Sequence, residues 1–367
     1  MIISFELEDT IMKKRTASAL ALILTMTASC LTGCGAADAS VNPSLPTGTQ
    51  ASDPDKLHIV CTIFPEYDWV REILGDHADQ AEVTYLLDNG TDLHSYQPTA
   101  DDMIRISTCD LFIYVGGESD KWAADALAEA VNKDMKTIDL MTVIGDAVKE
   151  EELKEGMQGE EDEEHDHEEE DEEHDHESDE HDHHHEEGEI EYDEHVWLSL
   201  RNAKTVCAAI ESDLATIDPA HAGDYKANLD AYTAKLDTLD GEFRALADAS
   251  SVKTLVFGDR FPFRYFVDDY GLDYYAAFIG CSAETEASFE TVAFLSNKLN
   301  ELNCDTVFTL ENSDHSIAET IIRTSGRNAT IAELNSLQSV SAQEIADGAS
   351  YLSLMQKNCD VLANVLK

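Results

Sequence analysis

Strand and helix patterns alternate along most of this chain, and this alternation restricts its fold more than any other feature. Short runs rich in β-branched and aromatic residues recur between stretches whose apolar residues follow a helical spacing. The alternation occurs in two separate parts of the chain and predicts parallel sheets with helices on both faces. We therefore expect an α/β fold of two Rossmann-like lobes. The predicted strands cover 57–63, 81–87, 111–115, 136–140, 254–257, 274–278, 306–310 and 330–334.

The two sets of strands are separated by a stretch of good helix formers with apolar residues at a helical spacing. Asp218 and Pro219 interrupt this pattern once, and from 220 to 247 it predicts one long helix. We expect this connection to be rigid, with little movement of the lobes relative to each other. The chain then consists of an N-terminal lobe, a long linking helix and a C-terminal lobe, over 56–200, 201–250 and 251–367.

The N-terminus predicts where the protein is found. A short basic stretch precedes an apolar run over 17–28, which is too short to span a bilayer, and the run leads into Leu-Thr-Gly-Cys ending at Cys34. This layout is typical of a bacterial lipoprotein signal peptide, which we place at 12–34 because acidic residues precede Met12. We expect Cys34 to carry lipid that anchors the protein to the outer face of the cell membrane. Residues 35–55 are rich in small and polar side chains and predict a flexible tether.

The charge of the chain restricts its ligands. A formal net charge of -52 excludes a general nucleic-acid binder, because recognition of phosphates needs a positively charged surface. Cations fit this charge better. Many of the acidic residues lie in 155–190, a loop of the N-terminal lobe. We expect this loop to be disordered because Glu, Asp and His cannot fill a core.

Histidine is concentrated in the same loop, which holds eight of the fourteen histidines. A charge run that only needs to be solvated has no use for histidine, whereas imidazole is a good ligand for zinc, copper and nickel. We therefore predict auxiliary metal binding by this tract. Its histidines are His165, His167, His174, His176, His181, His183, His184 and His185.

Two further histidines lie where loops leave predicted strands, His94 after the second strand and His195 just before the linking helix. Six cysteines remain outside the signal peptide and the lipid site, without any CxxC spacing. Isolated cysteines in apolar stretches, such as Cys61, are expected to be small buried side chains.

The surroundings of these two histidines resemble the zinc- and manganese-binding solute-binding lipoproteins of ABC transporters. That family carries motifs close to Gly-x-x-x-His-x-Tyr-x-Pro-x-x-x-Asp and Asp-x-His-Val-Trp-Leu, and the resemblance runs from about Leu57 to the end of the chain. An acidic His-rich insertion before the second motif points to the zinc branch. The matching positions here are Gly90, His94, Tyr96, Pro98 and Asp102, and the run 193–198.

The resemblance implies capture of Zn²⁺, with Mn²⁺ as the alternative cargo, and delivery to an ABC permease and its ATPase. It also implies a metal site in the cleft between the lobes, with His94 and His195 as ligands from the first lobe. Neutral imidazoles suit a tetrahedral zinc site. We expect a monomer and no enzymatic activity.

The second lobe departs from the family pattern. The family's third histidine corresponds to Gly258, and its late aspartate corresponds to Asn335. This lobe must then either use different ligands or bind the metal more weakly. The candidate ligands at strand ends are His315, Glu311 and Asp259, followed by Cys281, Glu284 and Glu286. Glu311 has an alternative role in orienting a ligand, and His315 has one in capping the following helix.

Two other functions fit a site of this kind. A zinc-dependent enzyme also uses two histidines, a carboxylate and an open position, but the sequence has no HExxH helix, nucleophile elbow or phosphate-binding glycine loop. A surface metal chaperone or adhesin that is not coupled to a permease would use the same ligands, and the sequence does not separate it from a transport protein.

Overall fold

The structure is a computed structural model that describes residues 56–159, 191–282 and 286–367. The predicted signal peptide with Cys34, the tether, the eight histidines of the acidic tract and Glu284 lie outside these ranges.

Four parallel strands form the sheet of the N-terminal lobe in the order β2-β1-β3-β4. The central strand β1 pairs Ile59 with Leu111 of β3, and both side chains are buried. Apolar residues on both faces of this strand fit a sheet that helices cover on both sides. The strands are β1 Leu57–Cys61, β2 Ala81–Tyr85, β3 Leu111–Tyr114 and β4 Lys136–Asp139. The helices are α1 Phe64–Leu74, α2 Ala100–Thr108, α3 Trp122–Ala128 and α4 Leu140–Ile144.

Two helices connect this sheet to the rest of the chain, α5 Leu200–Ile217 and α6 Ala222–Ala249. The break falls at Asp218 and Pro219, as predicted, and Asp218 accepts a hydrogen bond from the hydroxyl of Tyr225 (2.7 Å). None of the helices in the described ranges is long and apolar enough to cross a membrane. The apolar residues of α6 recur every three or four positions and are buried: Tyr225, Leu229, Tyr232, Leu236, Leu239, Phe243 and Ala247.

The C-terminal lobe repeats the strand order of the first. Its parallel pairs β5-β7 and β9-β10 are joined by a bridge between Phe257 and Phe308, which gives the order β7-β5-β9-β10. A short parallel pair, β6-β8, extends β5 and β7. The strands are β5 Thr254–Val256, β6 Arg260–Phe261, β7 Asp273–Tyr275, β8 Phe278–Ile279, β9 Thr306–Leu310 and β10 Thr330–Leu334. The helices are α7 Arg264–Tyr270, α8 Phe289–Glu301, α9 Ser316–Ser325, α10 Ala342–Ala346 and α11 Tyr351–Val365.

The α/β prediction is therefore confirmed. In both lobes the strand order reverses beside the first strand, and ligands of open α/β sheets bind at the carboxyl ends of the strands next to such a reversal.

Trp197 connects the two lobes. Its indole Nε1 donates to the carbonyl of Ser336 after β10 (2.8 Å), and its own carbonyl accepts from the hydroxyl of Tyr351 at the start of α11 (2.6 Å). All of these groups are buried, and helix α11 also packs on α6 and α1. These two hydrogen bonds fix the motif that carries His195 to the C-terminal lobe.

Glycine at 258 is required by the packing of α9. A Cβ there would lie 2.7 Å from the Cα of Ala318, whereas a Cβ on Gly241, which lies in α6, would meet nothing within 4 Å.

We expect Gly258→Ala to lower the free energy of unfolding by about 1–3 kcal/mol through overpacking. Gly241→Ala, the control, should raise it by about 0.5–1 kcal/mol by favouring the helix. Urea unfolding measures both, and a Gly258→Ala protein as stable as the native one would show that α9 does not pack against the end of β5.

Candidate metal centre

The structure brings His94 and His195 together at the carboxyl ends of the first-lobe strands. Their Nε2 atoms are 3.2 Å apart. Two nitrogen ligands of one tetrahedral zinc ion lie about 3.3 Å apart when each Zn–N bond is about 2.0–2.1 Å. The two imidazoles therefore already have the spacing of a pair of zinc ligands.

Short helical turns position both rings. His94 lies in a 3-10 turn, Leu93–Ser95, and the carboxylate of Asp92 caps this turn by accepting the backbone N–H of His94 (3.0 Å). His195 directly precedes another such turn, Val196–Leu198, which leads into α5.

The second nitrogen of each ring is held by a neighbour. Nδ1 of His195 lies 3.0 Å from Oδ1 of Asp193, which also accepts the backbone N–H of His195 (2.8 Å). Nδ1 of His94 lies 2.8 Å from Oγ of Ser119 and 3.5 Å from Oε2 of Glu194. Contacts of this kind fix the ring and its tautomer, and they leave both Nε2 atoms available to a metal.

Cys281 completes a group of three possible ligands. The ligand atoms of His94, His195 and Cys281 all lie within 4.8 Å of one another, and no other such group of His, Cys, Asp or Glu occurs in the described ranges. Cys281 follows β8, and its backbone N–H donates to Oε1 of Glu151 (3.2 Å). The chain can pass this close to His195 only because residue 280 is glycine, since a Cβ on Gly280 would lie 3.0 Å from Cε1 of His195.

Buried carboxylates surround this group. The residues Asp193 and Glu194 are 2% and 1% exposed. Within the part of the chain that the structure describes, Oε2 of Glu194 is buried without a hydrogen-bond partner. Burial raises the pKa of Glu194 and of Glu151. A cation in the cavity would relieve this cost of burying carboxylates, since an opposite charge nearby favours their ionised form.

The imidazole of His94 is suited to metal rather than to a proton. Burial, followed by the facing ring of His195, lowers the pKa of His94 well below its ordinary value. The ring is therefore neutral at neutral pH, with an unprotonated nitrogen available for a ligand bond.

The three residues that the sequence favoured in the second lobe lie outside the group of His94, His195 and Cys281. Glu311 accepts from the backbone N–H (2.7 Å) and the hydroxyl (2.5 Å) of Ser336. Asp259 accepts from the backbone N–H groups of Leu310 (3.1 Å) and Arg260 (2.9 Å).

His315 immediately precedes α9 and has a positive φ of 64°, and its Nδ1 lies 3.2 Å from Oγ1 of Thr309. Its side chain makes no capping hydrogen bond to that helix. Asp259 and Glu311 line a separate cavity of about 410 Å³, whereas His94 and Cys281 line one of about 310 Å³. Glu286 is exposed.

Sequence reasoning missed the residues that support the site. The motif around His195 includes Asp193 without indicating its role, and Ser119 and Glu151 carry no local signal. Cys281 was a secondary candidate, while the general expectation for isolated cysteines was burial. That expectation holds for Cys61, Cys109, Cys207 and Cys359, whereas Cys281 and Cys304 are only partly buried.

The loop that carries His94 is also attached to the second lobe. The guanidinium of Arg260 forms an ion pair with Oδ2 of Asp92, and Nε2 of Gln338 donates to Oδ1 of Asp92 (3.2 Å). Burial acts to raise the pKa of Asp92, but Arg260 and His94 hold it below its ordinary value. The residue that caps the His94 turn is thus an ionised contact between the lobes.

Comparison with known proteins gives consistent matches. A family model described as zinc-uptake complex component A, periplasmic (ZnuA), matches residues 59–365. Zinc-binding lipoprotein AdcA of Streptococcus pneumoniae (strain ATCC BAA-255 / R6) is 29% identical over 311 residues, which cover 84% of this chain and 55% of that protein. The chain thus spans about half the length of the AdcA proteins it matches.

A second relative and a solved domain structure match over nearly their whole length. The high-affinity zinc uptake system protein ZnuA of Bacillus subtilis (strain 168) is 30% identical over 319 residues, which cover 87% of this chain and 90% of that protein. The crystal structure of the Zn(II)-bound ZnuA-like domain of Streptococcus pneumoniae AdcA superposes with a TM-score of 0.63 at 26% identity, covering 85% of this chain and 99% of that one.

Glu311 predicts how stability depends on pH. Burial raises the pKa of Glu311 to about 7, above the value of about 4.3 in an unfolded chain. Between these values the folded protein binds more protons than the unfolded one, so its stability falls as the pH rises. In Glu311→Gln this fall should be shallower by up to about 1.4 kcal/mol per pH unit. Urea unfolding of the metal-free protein across that range measures the slope, and equal slopes in both proteins would show that Glu311 is not protonated in the folded state.

Proposed function

Because the chain belongs to the family of zinc-uptake complex component A, periplasmic, we propose that it captures Zn²⁺ outside the cytoplasm and delivers it to an ABC importer. The family expected from the two histidine motifs is thereby confirmed. Members of this family bind and release a solute and are not enzymes, so we assign no catalytic residue.

The paired imidazoles of His94 and His195 carry this proposal. Their Nε2 atoms have the spacing that one zinc ion needs, and both rings are oriented by Asp193, Ser119 and Glu194. A preformed pair binds more tightly than two free side chains would, because little conformational entropy is lost when the metal arrives. Imidazole also favours zinc over manganese, which prefers oxygen ligands.

Delivery requires that the permease distinguish the loaded protein from the empty one. The turn that carries His94 is capped by Asp92, which Arg260 and Gln338 of the second lobe contact directly. Metal that holds His94 in place would therefore also stabilise this contact between the lobes. We propose that the permease recognises the arrangement so stabilised.

The remaining sequence predictions complete the proposal. A lipid on Cys34 and a tether over 35–55 would keep the protein close to the permease in the membrane. The acidic tract would collect zinc at sites weaker than the one formed by His94 and His195. The lobes over 56–200 and 251–367 would act as a monomer, linked through 201–250.

Zinc titration by calorimetry tests the site, in protein lacking residues 160–187 so that the acidic tract does not contribute. We expect one tight zinc ion per native molecule and none in the double variant His94→Ala, His195→Ala. The matched control is His77→Ala, His221→Ala. These two rings are also in contact (centroids 4.0 Å apart) but do not belong to the group of His94, His195 and Cys281. The control should bind zinc as the native protein does. Tight zinc binding that survives in the His94 and His195 double variant would place the site elsewhere.

Replacing the lipid site tests anchoring and delivery. In cells whose own copy is deleted, we expect Cys34→Ser to shift the protein from the membrane to the soluble extracytoplasmic fraction and to slow the uptake of radioactive zinc. The purified variant should bind zinc like the native protein, since Cys34 is not among the residues that we assign to the metal site. Protein that stays in the membrane fraction would rule out the lipid anchor, and uptake that does not depend on His94 and His195 would contradict delivery.

A further inference from the structure

We propose that Sγ of Cys281 is the third metal ligand, so that the cleft binds its ion through two imidazoles and one thiolate and selects thiophilic cations over manganese. The inference rests on the proposed function and specifies the ligand set through which that function operates.

The first support is the position of the thiol. The sulfur lies within 4.8 Å of a ring nitrogen of each histidine, although Cys281 belongs to the opposite lobe. Two features place it there, the hydrogen bond from its backbone N–H to Glu151 and the absence of a side chain at Gly280, which lets the chain pass close to His195. A cysteine that only filled apolar space would need neither feature.

The second support is that the other second-lobe positions are unsuited to the role. Gly258 has no side chain, and α9 leaves no room for one because an added Cβ would lie 2.7 Å from the backbone of Ala318. Glu311 and Asp259 accept two hydrogen bonds each from groups within their own lobe. Nδ1 of His315 is within hydrogen-bond distance of Oγ1 of Thr309 (3.2 Å), also within the second lobe.

The third support is the buried charge beside the group. Oε2 of Glu194 is 3.5 Å from Nδ1 of His94 and has no hydrogen-bond partner among the residues of the described ranges. Two neutral imidazoles and one thiolate neutralise only half of a divalent ion. The remaining positive charge would be stabilised by Glu194 and Asp193, which are fully enclosed.

The binding step balances as follows. The S–H bond of Cys281 breaks, a metal–sulfur bond forms, and one proton leaves to the solvent, while each imidazole donates an existing lone pair. Three protein ligands would leave one position of a tetrahedral zinc ion open to water or to a further ligand. Thiolate ligands favour zinc and other soft or borderline ions, whereas manganese prefers carboxylate, carbonyl and water oxygens. The third ligand would therefore decide selectivity.

Cobalt provides the test, because a thiolate bound to Co²⁺ gives a charge-transfer absorption in the near ultraviolet that nitrogen and oxygen ligands do not give. We expect one equivalent of Co²⁺ to produce this band in the mature full-length protein. Cys304→Ser should keep it, since Cys304 is the other partly buried free cysteine of the described ranges. Cys281→Ser should lose it. The same variant should bind zinc at least about tenfold more weakly and discriminate less between zinc and manganese in competition titrations.

The outcomes separate this inference from the proposed function. Tight zinc that depends on His94 and His195, together with a missing band or a band that survives Cys281→Ser, would overturn the inference and leave capture intact. Native protein without any tight zinc would overturn both.

A second measurement covers the case in which Cys281→Ser does not fold. Zinc should protect Cys281, but not Cys304, from alkylation by iodoacetamide in the native protein, as measured by peptide mass spectrometry. Equal rates of alkylation of Cys281 with and without zinc would reject the thiolate ligand.

Discussion

The geometry of the site depends on where the parallel strands end. The carboxyl ends of parallel strands meet at one edge of a sheet, where the loops after β2 and β3 carry Asp92, His94 and Ser119. The segment that precedes α5 brings Asp193 and His195 to the same edge. The second lobe has the same strand order and brings its own strand ends to this region, including Cys281 after β8. Residues far apart in sequence thus become neighbours because both lobes are built in the same way.

Electrostatics make this edge selective for cations. The carboxylates of Asp193 and Glu194 are enclosed beside imidazoles whose second nitrogens they contact. Burying carboxylates without a full set of partners is unfavourable, and the cost is relieved when positive charge enters. Arg260 is the basic side chain that pairs with Asp92 here, and this pair joins the lobes. The enclosed carboxylates therefore favour metal binding, and the ion pair of Asp92 and Arg260 connects the His94 turn to the second lobe.

Much of the fold could be predicted from local patterns, because periodicity and helix-breaking residues act between near neighbours. The strands 306–310 and 330–334 were predicted with their observed bounds. Other boundaries were wrong. The strand predicted over 57–63 ends at Cys61, and α1 begins at Phe64 because Pro65 favours the first turn of a helix. The run 274–278 forms two short strands, β7 and β8, rather than one. The lengths of short strands depend on partners that the local sequence does not specify.

The sequence by itself determined the α/β class, the break before α6 and the two histidines, because each is encoded in a short continuous pattern. Only the tertiary structure decided which second-lobe side chain approaches those histidines. His315, Glu311 and Asp259 have suitable chemistry and lie near strand ends. Their side chains instead form hydrogen bonds within the second lobe, His315 with Thr309, Glu311 with Ser336 and Asp259 with Leu310. Cys281 approaches His195 because Gly280 admits the backbone and Glu151 holds it. A set of ligands is defined by distances of a few ångströms between remote segments, and packing fixes such distances, whereas local sequence does not.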